Sequence, residues 1–155
     1  MSSEKLVAYF QKEEVDARIL TFRKNTMTVE DAEKQLGVSR ERIIKSMLFV
    51  DERGIPMLGI VTGDKRVSEE KLTEVSGARK IKIARPSAVR SLTGYEVGAL
   101  PPVGHKRAIR TFIDPKVMTF ERVYGGGGAV NALLEIDPRD IKRLANSEVV
   151  DISEG

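Results

Sequence analysis

Ile43-Ile-Lys-Ser-Met-Leu-Phe-Val50, followed by the turn residues Asp51 to Gly54 and a second apolar run from Ile55 to Thr62, decides the fold class. Both runs are β-branched and apolar, and the polar, glycine-ended break between them has turn chemistry, so the pair predicts a hairpin. Along the first strand Lys45 points the same way as Ile43, Met47 and Phe49, while Ile44, Ser46, Leu48 and Val50 face oppositely. Both faces are largely apolar, which places this hairpin inside the protein.

Working outward, helical spacing after Ser3 predicts an amphipathic helix over Glu4 to Glu13, and Ala17 to Phe22 reads as a strand. Thr28 with Asp31 forms a cap with an acidic third position; Ala32, Leu36 and Gly37 supply an apolar face and a stop, and a further helical turn starts at Ser39. Beyond the hairpin, Ser68 opens a helix through about Val75 that Gly77 ends. Lys80 to Ala84 is a strand, and Pro86 starts a helix up to Leu92. A Gly- and Pro-rich loop runs from Gly94 to Gly104. Lys106 to Ile113 and Thr119 to Tyr124 read as strands around a turn at Asp114 and Pro115. The glycine run 125–128 then leads to a strand over Ala129 to Ile136. Asp137, Pro138 and Asp140 start a helix, and Glu148 to Ile152 closes as a strand. Helices and strands alternate irregularly around hairpins. The expectation is an α+β fold, a mixed, largely antiparallel sheet or pseudo-barrel flanked by helices, in one domain over 1–155.

The 155 residues are 41% hydrophobic and 32% charged, a composition that fits a folded globular chain. Lys and Arg number 26 against 23 Asp and Glu, a net charge of +3, compatible with a nucleic-acid partner without requiring one. The absence of Cys removes disulfides, thiolate metal sites and a cysteine nucleophile. A single histidine, His105, leaves little room for a Ser-His-Asp triad or a histidine zinc site, so no metal and no cofactor are expected. No apolar run reaches bilayer length and no signal-peptide layout is seen at the start, so the cytoplasm is the expected location and no membrane partner is expected.

Lys45 stands out among candidate functional residues. An ammonium on a strand apolar on both faces either snorkels at a sheet edge or is aimed into a ligand pocket. The Gly94 to Gly104 loop, with three glycines and two prolines, is either a rigid crossover or a wall that presents backbone groups to a ligand. Gly125 to Gly128 lacks the Lys-Ser or Lys-Thr of a P-loop and reads as a hairpin turn or a close passage beside a pocket; Gly63-Asp64-Lys65 fails the same test. His105, beside Lys106 and Arg107, reads as solvent-exposed, and Asp114 before Pro115 as a turn cap or a pocket residue. Arg79, Lys80, Lys82, Lys106, Arg107 and Arg110 are either solvated strand faces or contacts to a phosphate backbone.

An ordered set of motifs resembles the YbaK and prolyl-tRNA-synthetase-associated domains, which are aminoacyl-tRNA deacylases. It comprises Val29-Glu-Asp-Ala-Glu-Lys-Gln-Leu-Gly37, Ile44-Lys-Ser-Met-Leu-Phe49, Thr93-Gly-Tyr-Glu-Val-Gly98 continuing to Pro102-Val-Gly104, Phe112-Ile-Asp114 and the glycines after Tyr124. The resemblance implies a trans-editing hydrolase that removes a wrongly attached amino acid from tRNA, chiefly tRNA for proline. The alternative is a non-catalytic module that binds a tRNA acceptor end or nucleotide beside a synthetase. Implied partners are the acceptor end of mischarged tRNA and an aminoacyl-tRNA synthetase.

Lys45 matches the family's functional lysine, and Gly98 with Pro102 its Gly-x-x-x-Pro motif, so Lys45 and Gly98 are the implied catalytic positions. Ser46, Gly94, Tyr95, Ala99, Pro102, Gly104, Asp114, Gly126 and Gly127 are the implied substrate-binding set. Ala99 stands where a second glycine is common, and Ser46 where threonine or asparagine is. The chemistry suits the residue inventory: an aminoacyl ester is already activated and needs a placed water and a stabilised oxyanion rather than a strong protein nucleophile.

Overall fold

The computed structural model describes residues 2–154. The two apolar runs form strands β2 (Ile44–Asp51) and β3 (Pro56–Thr62), antiparallel, with Lys45 opposite Val61 and Ser46 opposite Ile60. Every residue of β3 is buried, as a strand with apolar side chains on both faces demands. Asp51 closes the turn, its carboxylate accepting the N–H groups of Arg53 and Ile55 at 2.8 and 2.9 Å.

Around the hairpin lie α1 (Ser3–Lys12), β1 (Arg18–Thr21), α2 (Val29–Leu36), β4 (Arg66–Val67), α3 (Glu69–Ser76), β5 (Ile81–Ile83) and α4 (Pro86–Thr93). After the long loop come β6 (Arg110–Ile113), β7 (Val123–Gly126), β8 (Ala132–Ile136), α5 (Pro138–Leu144), β9 (Ser147–Val149) and β10 (Ser153–Glu154). A five-stranded sheet has the order β5-β2-β3-β6-β9; β5, β2 and β3 are antiparallel, whereas β6 and β9 join in parallel. A three-stranded antiparallel sheet, β1-β8-β7, meets it through a bridge between Ile43 and Tyr124, and β4 pairs with β10. The expected α+β class is found, with mixed sheets that stay open rather than closing as a barrel.

Ile44, Leu48, Leu58, Ile60 and Ile113 pack with Leu6, Phe10, Val89 and Ile141 of the helices in the main core. On the opposite face Phe49, Met57, Val61 and Phe112 pack with Leu72 and Ile152. Residues of β2 alternate between these two cores, and burial of both faces supplies most of the driving force at roughly 25 cal/mol per Å². Helix signals hold well: Thr28, Ser68 and Asp137 each cap with a side-chain oxygen, and Gly37 and Gly77 end their helices in the left-handed region.

The second half departs from the periodicity. The strand expected over Lys106 to Ile113 begins only at Arg110, because parallel pairing with β3 starts at Met57 opposite Arg110. In place of a strand start at Thr119, Asp114 caps a 3-10 turn over Pro115–Thr119 through the N–H of Lys116, and β7 begins at Val123. The strand expected from Ala129 starts at Ala132, and the strand expected over Glu148 to Ile152 is split into β9 and β10. Two glycines of the 125–128 run are strand residues, Gly125 opposite Leu134 and Gly126 opposite Leu133, so the turn begins later than the glycine pattern suggests.

Gly126 runs beneath the long loop so closely that a Cβ there would lie 2.2 Å from the carbonyl oxygen of Leu100. Relief would require moving backbone. Gly126→Ala is expected to destabilise by about 2 kcal/mol or more, in the range of overpacking. Gly37→Ala faces open space and carries only the left-handed cost of about 1 kcal/mol. Urea unfolding of the two variants, with Gly126→Ala the weaker, checks the close approach.

Candidate functional site

The segment between α4 and β6 is irregular yet pinned along its length. Gly94 ends α4 in the left-handed region, and the Thr93 hydroxyl donates to the Val89 carbonyl at 2.7 Å while accepting the Tyr95 N–H at 3.1 Å. The Tyr95 hydroxyl donates to the Gly104 carbonyl at 3.3 Å, tying the loop's two ends. Arg90 holds Glu96 through two hydrogen bonds of 2.7 and 3.0 Å. The Gly128 N–H donates to the Ala99 carbonyl at 2.9 Å, fixing the loop to the glycine run. Gly98 adopts φ +85°, the left-handed region open to glycine at low cost, and the Met27 side chain lies against it.

Between this loop, the start of β2, the segment Thr26–Val29 and the end of β7 lies a pocket of about 250 Å³. Lys45, Ser46 and Met47 line it from β2, Val97, Gly98 and Leu100 from the loop, and Gly125 and Gly126 from β7. Met27, Val29, Ala32, Ile43 and Leu133 make the rest largely apolar. Among the described residues, no His, Asp, Glu or Cys stands in the lining.

Lys45 is half-buried. Burial holds its ammonium below the usual lysine range, assisted by the positive charge of Arg66 and opposed by Asp64 and Glu30. Those two carboxylates have cations of their own. Asp64 takes the Lys116 ammonium at 2.7 Å, and Glu30 lies 3.8 Å from Arg40. Among the described residues Lys45 therefore has no hydrogen bond and no ion pair, and its charge is available to a ligand. Beside it the Ser46 hydroxyl is buried and also lacks a partner. An orphaned donor at a pocket wall is a cost that a bound polar group removes.

Of the expected site residues, the fold brings Lys45, Ser46, Gly98 and Gly126 to one pocket. The others stand outside its lining. Gly94, Tyr95 and Gly104 brace the loop, Ala99 bonds to Gly128, and Pro102 packs behind Gly125. The Gly127 carbonyl accepts the Ser3 hydroxyl at 2.7 Å. Asp114 is buried on the far side of β3, its carboxylate accepting the N–H groups of Lys116 and Ile152 at 3.2 and 3.3 Å. Sequence reading missed Met27, Val97 and Leu133. Met27 and Val97 are 38% and 46% exposed, and apolar side chains flanking a helix cap and a loop glycine are the only local sign of them.

His105 is half-buried rather than exposed as expected. Its Nε2 donates to the Pro101 carbonyl at 2.7 Å, which assigns the proton to that nitrogen. The ring thereby holds the proline pair that carries the pocket loop.

Fold and pocket together define an α+β domain whose cleft offers one unpaired ammonium and glycine-lined walls. Such a site suits an anionic or already activated ligand. A family model for the aminoacyl-tRNA editing domain matches residues 23–144, and the chain belongs to that family, whose chemistry is hydrolysis of the ester joining an amino acid to tRNA. The crystal structure of "a putative trans-editing enzyme for prolyl tRNA synthetase" superimposes with a TM-score of 0.90 at 28% identity, over 99% of this chain and 97% of that one. Among curated relatives, the "Putative Cys-tRNA(Pro)/Cys-tRNA(Cys) deacylase EbsC" of Enterococcus faecalis is 23% identical over 82% of this chain and 77% of its own length. The proline–tRNA ligase of Nitratidesulfovibrio vulgaris strain DP4 is 37% identical over 58% of this chain, a match that spans 16% of the ligase.

The half-buried His105 imidazole has its pKa lowered, mainly by the shielding of its ring, with the bond to Pro101 pushing the other way. A folded-state value below the unfolded one means that the unfolded chain takes up the proton first. Stability from this group is therefore complete above about pH 6.5 and falls as the pH drops toward the folded-state value. Acid unfolding followed by circular dichroism should show this loss in the wild type and a shallower one in His105→Gln.

Proposed function

We propose that the pocket hydrolyses mischarged aminoacyl-tRNA in trans, with Lys45 as the catalytic cation. The observation that carries this reading is the unpaired, half-buried ammonium of Lys45 in a wall that otherwise offers no charge. Burial of a lysine without a counter-ion costs stability, and a ligand's negative charge offsets that cost.

Hydrolysis needs a water added to the ester carbonyl, negative charge stabilised on the carbonyl oxygen, and a proton returned to the leaving ribose oxygen. Lys45 meets the developing charge in a site partly shielded from water, where a single well-placed donor is worth about 10²–10³ in rate. The Ser46 hydroxyl next to it in the chain is buried and unpartnered, and a small rotation of the side chain would let it bond the ester or ribose. Gly98 and Gly126 let Met27 and the Leu100 carbonyl close tightly on the backbone and so shape the wall that meets the substrate. No histidine or carboxylate in the lining serves as base, so the vicinal ribose hydroxyl of the substrate's own terminal adenosine orients the attacking water.

The acceptor proposed is tRNA for proline, because relatives of this chain include a deacylase named for Cys-tRNA(Pro) and a 90-residue segment of a proline–tRNA ligase. The apolar walls of Met27, Val29, Ala32 and Leu133 fit a small uncharged amino acid, and Lys45 repels a cationic one. The protein would thus act on errors of prolyl-tRNA synthetase, which makes that synthetase the proposed functional neighbour.

Deacylation assays on tRNA(Pro) carrying alanine, cysteine, serine or lysine are the test. Release of at least one small uncharged residue, with lysine retained, is the expected pattern. Lys45→Met is expected to lower turnover about 100- to 1,000-fold while melting at the same temperature as the wild type or higher, because it removes an uncompensated buried charge. Unchanged turnover in that variant overturns the assignment. Substrate ending in 2′-deoxyadenosine should lose turnover to a similar extent, and full activity on it would reject assistance by the ribose.

A further inference from the structure

Next to the lysine pocket, across Ser46, Met47, Val97 and Leu100, lies a second hollow of about 240 Å³. Its outer walls are Ile83, Ala84, Pro86 and Val89. The two hollows share those four residues and so adjoin one another. We infer that this second hollow is a nucleobase subsite, taking the base of the penultimate nucleotide of the tRNA's single-stranded 3′ end while the lysine pocket holds the terminal aminoacyl-adenosine. The inference rests on the reading of the lysine pocket as the ester site.

Three features fit a base. The hollow is lined almost wholly by apolar side chains, and its lip is exposed, Ile83 at 55% and Val97 at 46%. Two exposed cations are next to its outer wall in the chain, Lys82 before Ile83 and Arg85 before Pro86; Lys82 lines the adjoining hollow with Lys80, Asp51 and Glu52, and neither side chain has an ion pair or hydrogen bond among the described residues. An apolar floor with unpaired cations at its edge is the combination that single-stranded nucleic acid uses, base on the floor and phosphate at the rim. Finally, β5 is the edge strand of its sheet, pairing with β2 alone, so one side of Ile81–Ile83 keeps backbone groups free to meet the edge of a base.

Ser46 lines both hollows at the place where the sugar joining the two nucleotides would lie. Arg79 and Lys80 lie further along the same edge, their backbone N–H groups already taken by Glu52.

Binding of uncharged oligonucleotides tests the subsite without turnover. One probe ends in CCA, and the other is identical except that the penultimate nucleotide has no base. By fluorescence anisotropy the wild type should bind the first about tenfold more tightly, and Ile83→Asp, a change at an exposed position, should bind both alike. Lys82→Ala/Arg85→Ala should weaken both probes and reduce the slope of log affinity against log salt by about 1 to 2. Equal affinity of the wild type for the two probes overturns the subsite, as does unaltered discrimination in Ile83→Asp. If the hollow instead takes the amino-acid side chain, the missing base is silent and Ile83→Asp changes which amino acids are released, which also overturns it. Turnover that survives Lys45→Met strikes the catalytic reading alone, because the subsite is read by binding.

Discussion

Burial of both faces of β2 is the constraint on which the site depends. A strand enclosed by helices on one side and by α3 and the C-terminal segment on the other has no solvent face on which to place a cation. Lys45 is admitted only because the strand's beginning, near the bridge from Ile43 to Tyr124, borders a cleft where the two sheets meet. The neighbouring carboxylates that would quench it are held elsewhere by Lys116 and Arg40. Energetically this is a small local deficit, and in the proposed reading the deficit is what draws negative charge to the pocket.

The loop from Gly94 to Gly104 turns that affinity into geometry. Its hydrogen bonds to Thr93, Gly128 and His105, and the Arg90–Glu96 pair, hold a segment without regular structure in one conformation. A preformed wall avoids the ordering cost that a mobile one would charge to each binding event. Many residues that a motif reading assigns to substrate therefore act one step back. Tyr95, Ala99, Pro102 and Gly104 fix the places of Val97, Gly98 and Leu100, which do face the cavity.

What was legible in the sequence follows from the range of the forces involved. The hairpin, the helix caps at Thr28, Ser68 and Asp137, and the isolated lysine are set by near neighbours, and all are visible in a few residues of text. The strands of the second half are set by partners far along the chain. Lys106 to Ile109 have strand composition but no strand beside them, and Gly125 and Gly126 are strand residues because β8 pairs with them, against their own propensity. Met27, Val97 and Leu133 come from three distant segments, and only packing brings them to one cavity. The partner of His105, the Pro101 carbonyl, lies only four residues away, and it was hidden for a different reason: nothing in the neighbouring Lys106 and Arg107 suggests a shielded ring.

The most direct measurement is the titration of the Lys45 ammonium by nitrogen NMR, with and without adenosine monophosphate. An ammonium shielded in the cleft and lacking a counter-ion should titrate below the ordinary lysine value of 10.5 and move upward when the nucleotide is added. An ordinary value that the nucleotide leaves unchanged would place the charge in free solvent and contradict the account.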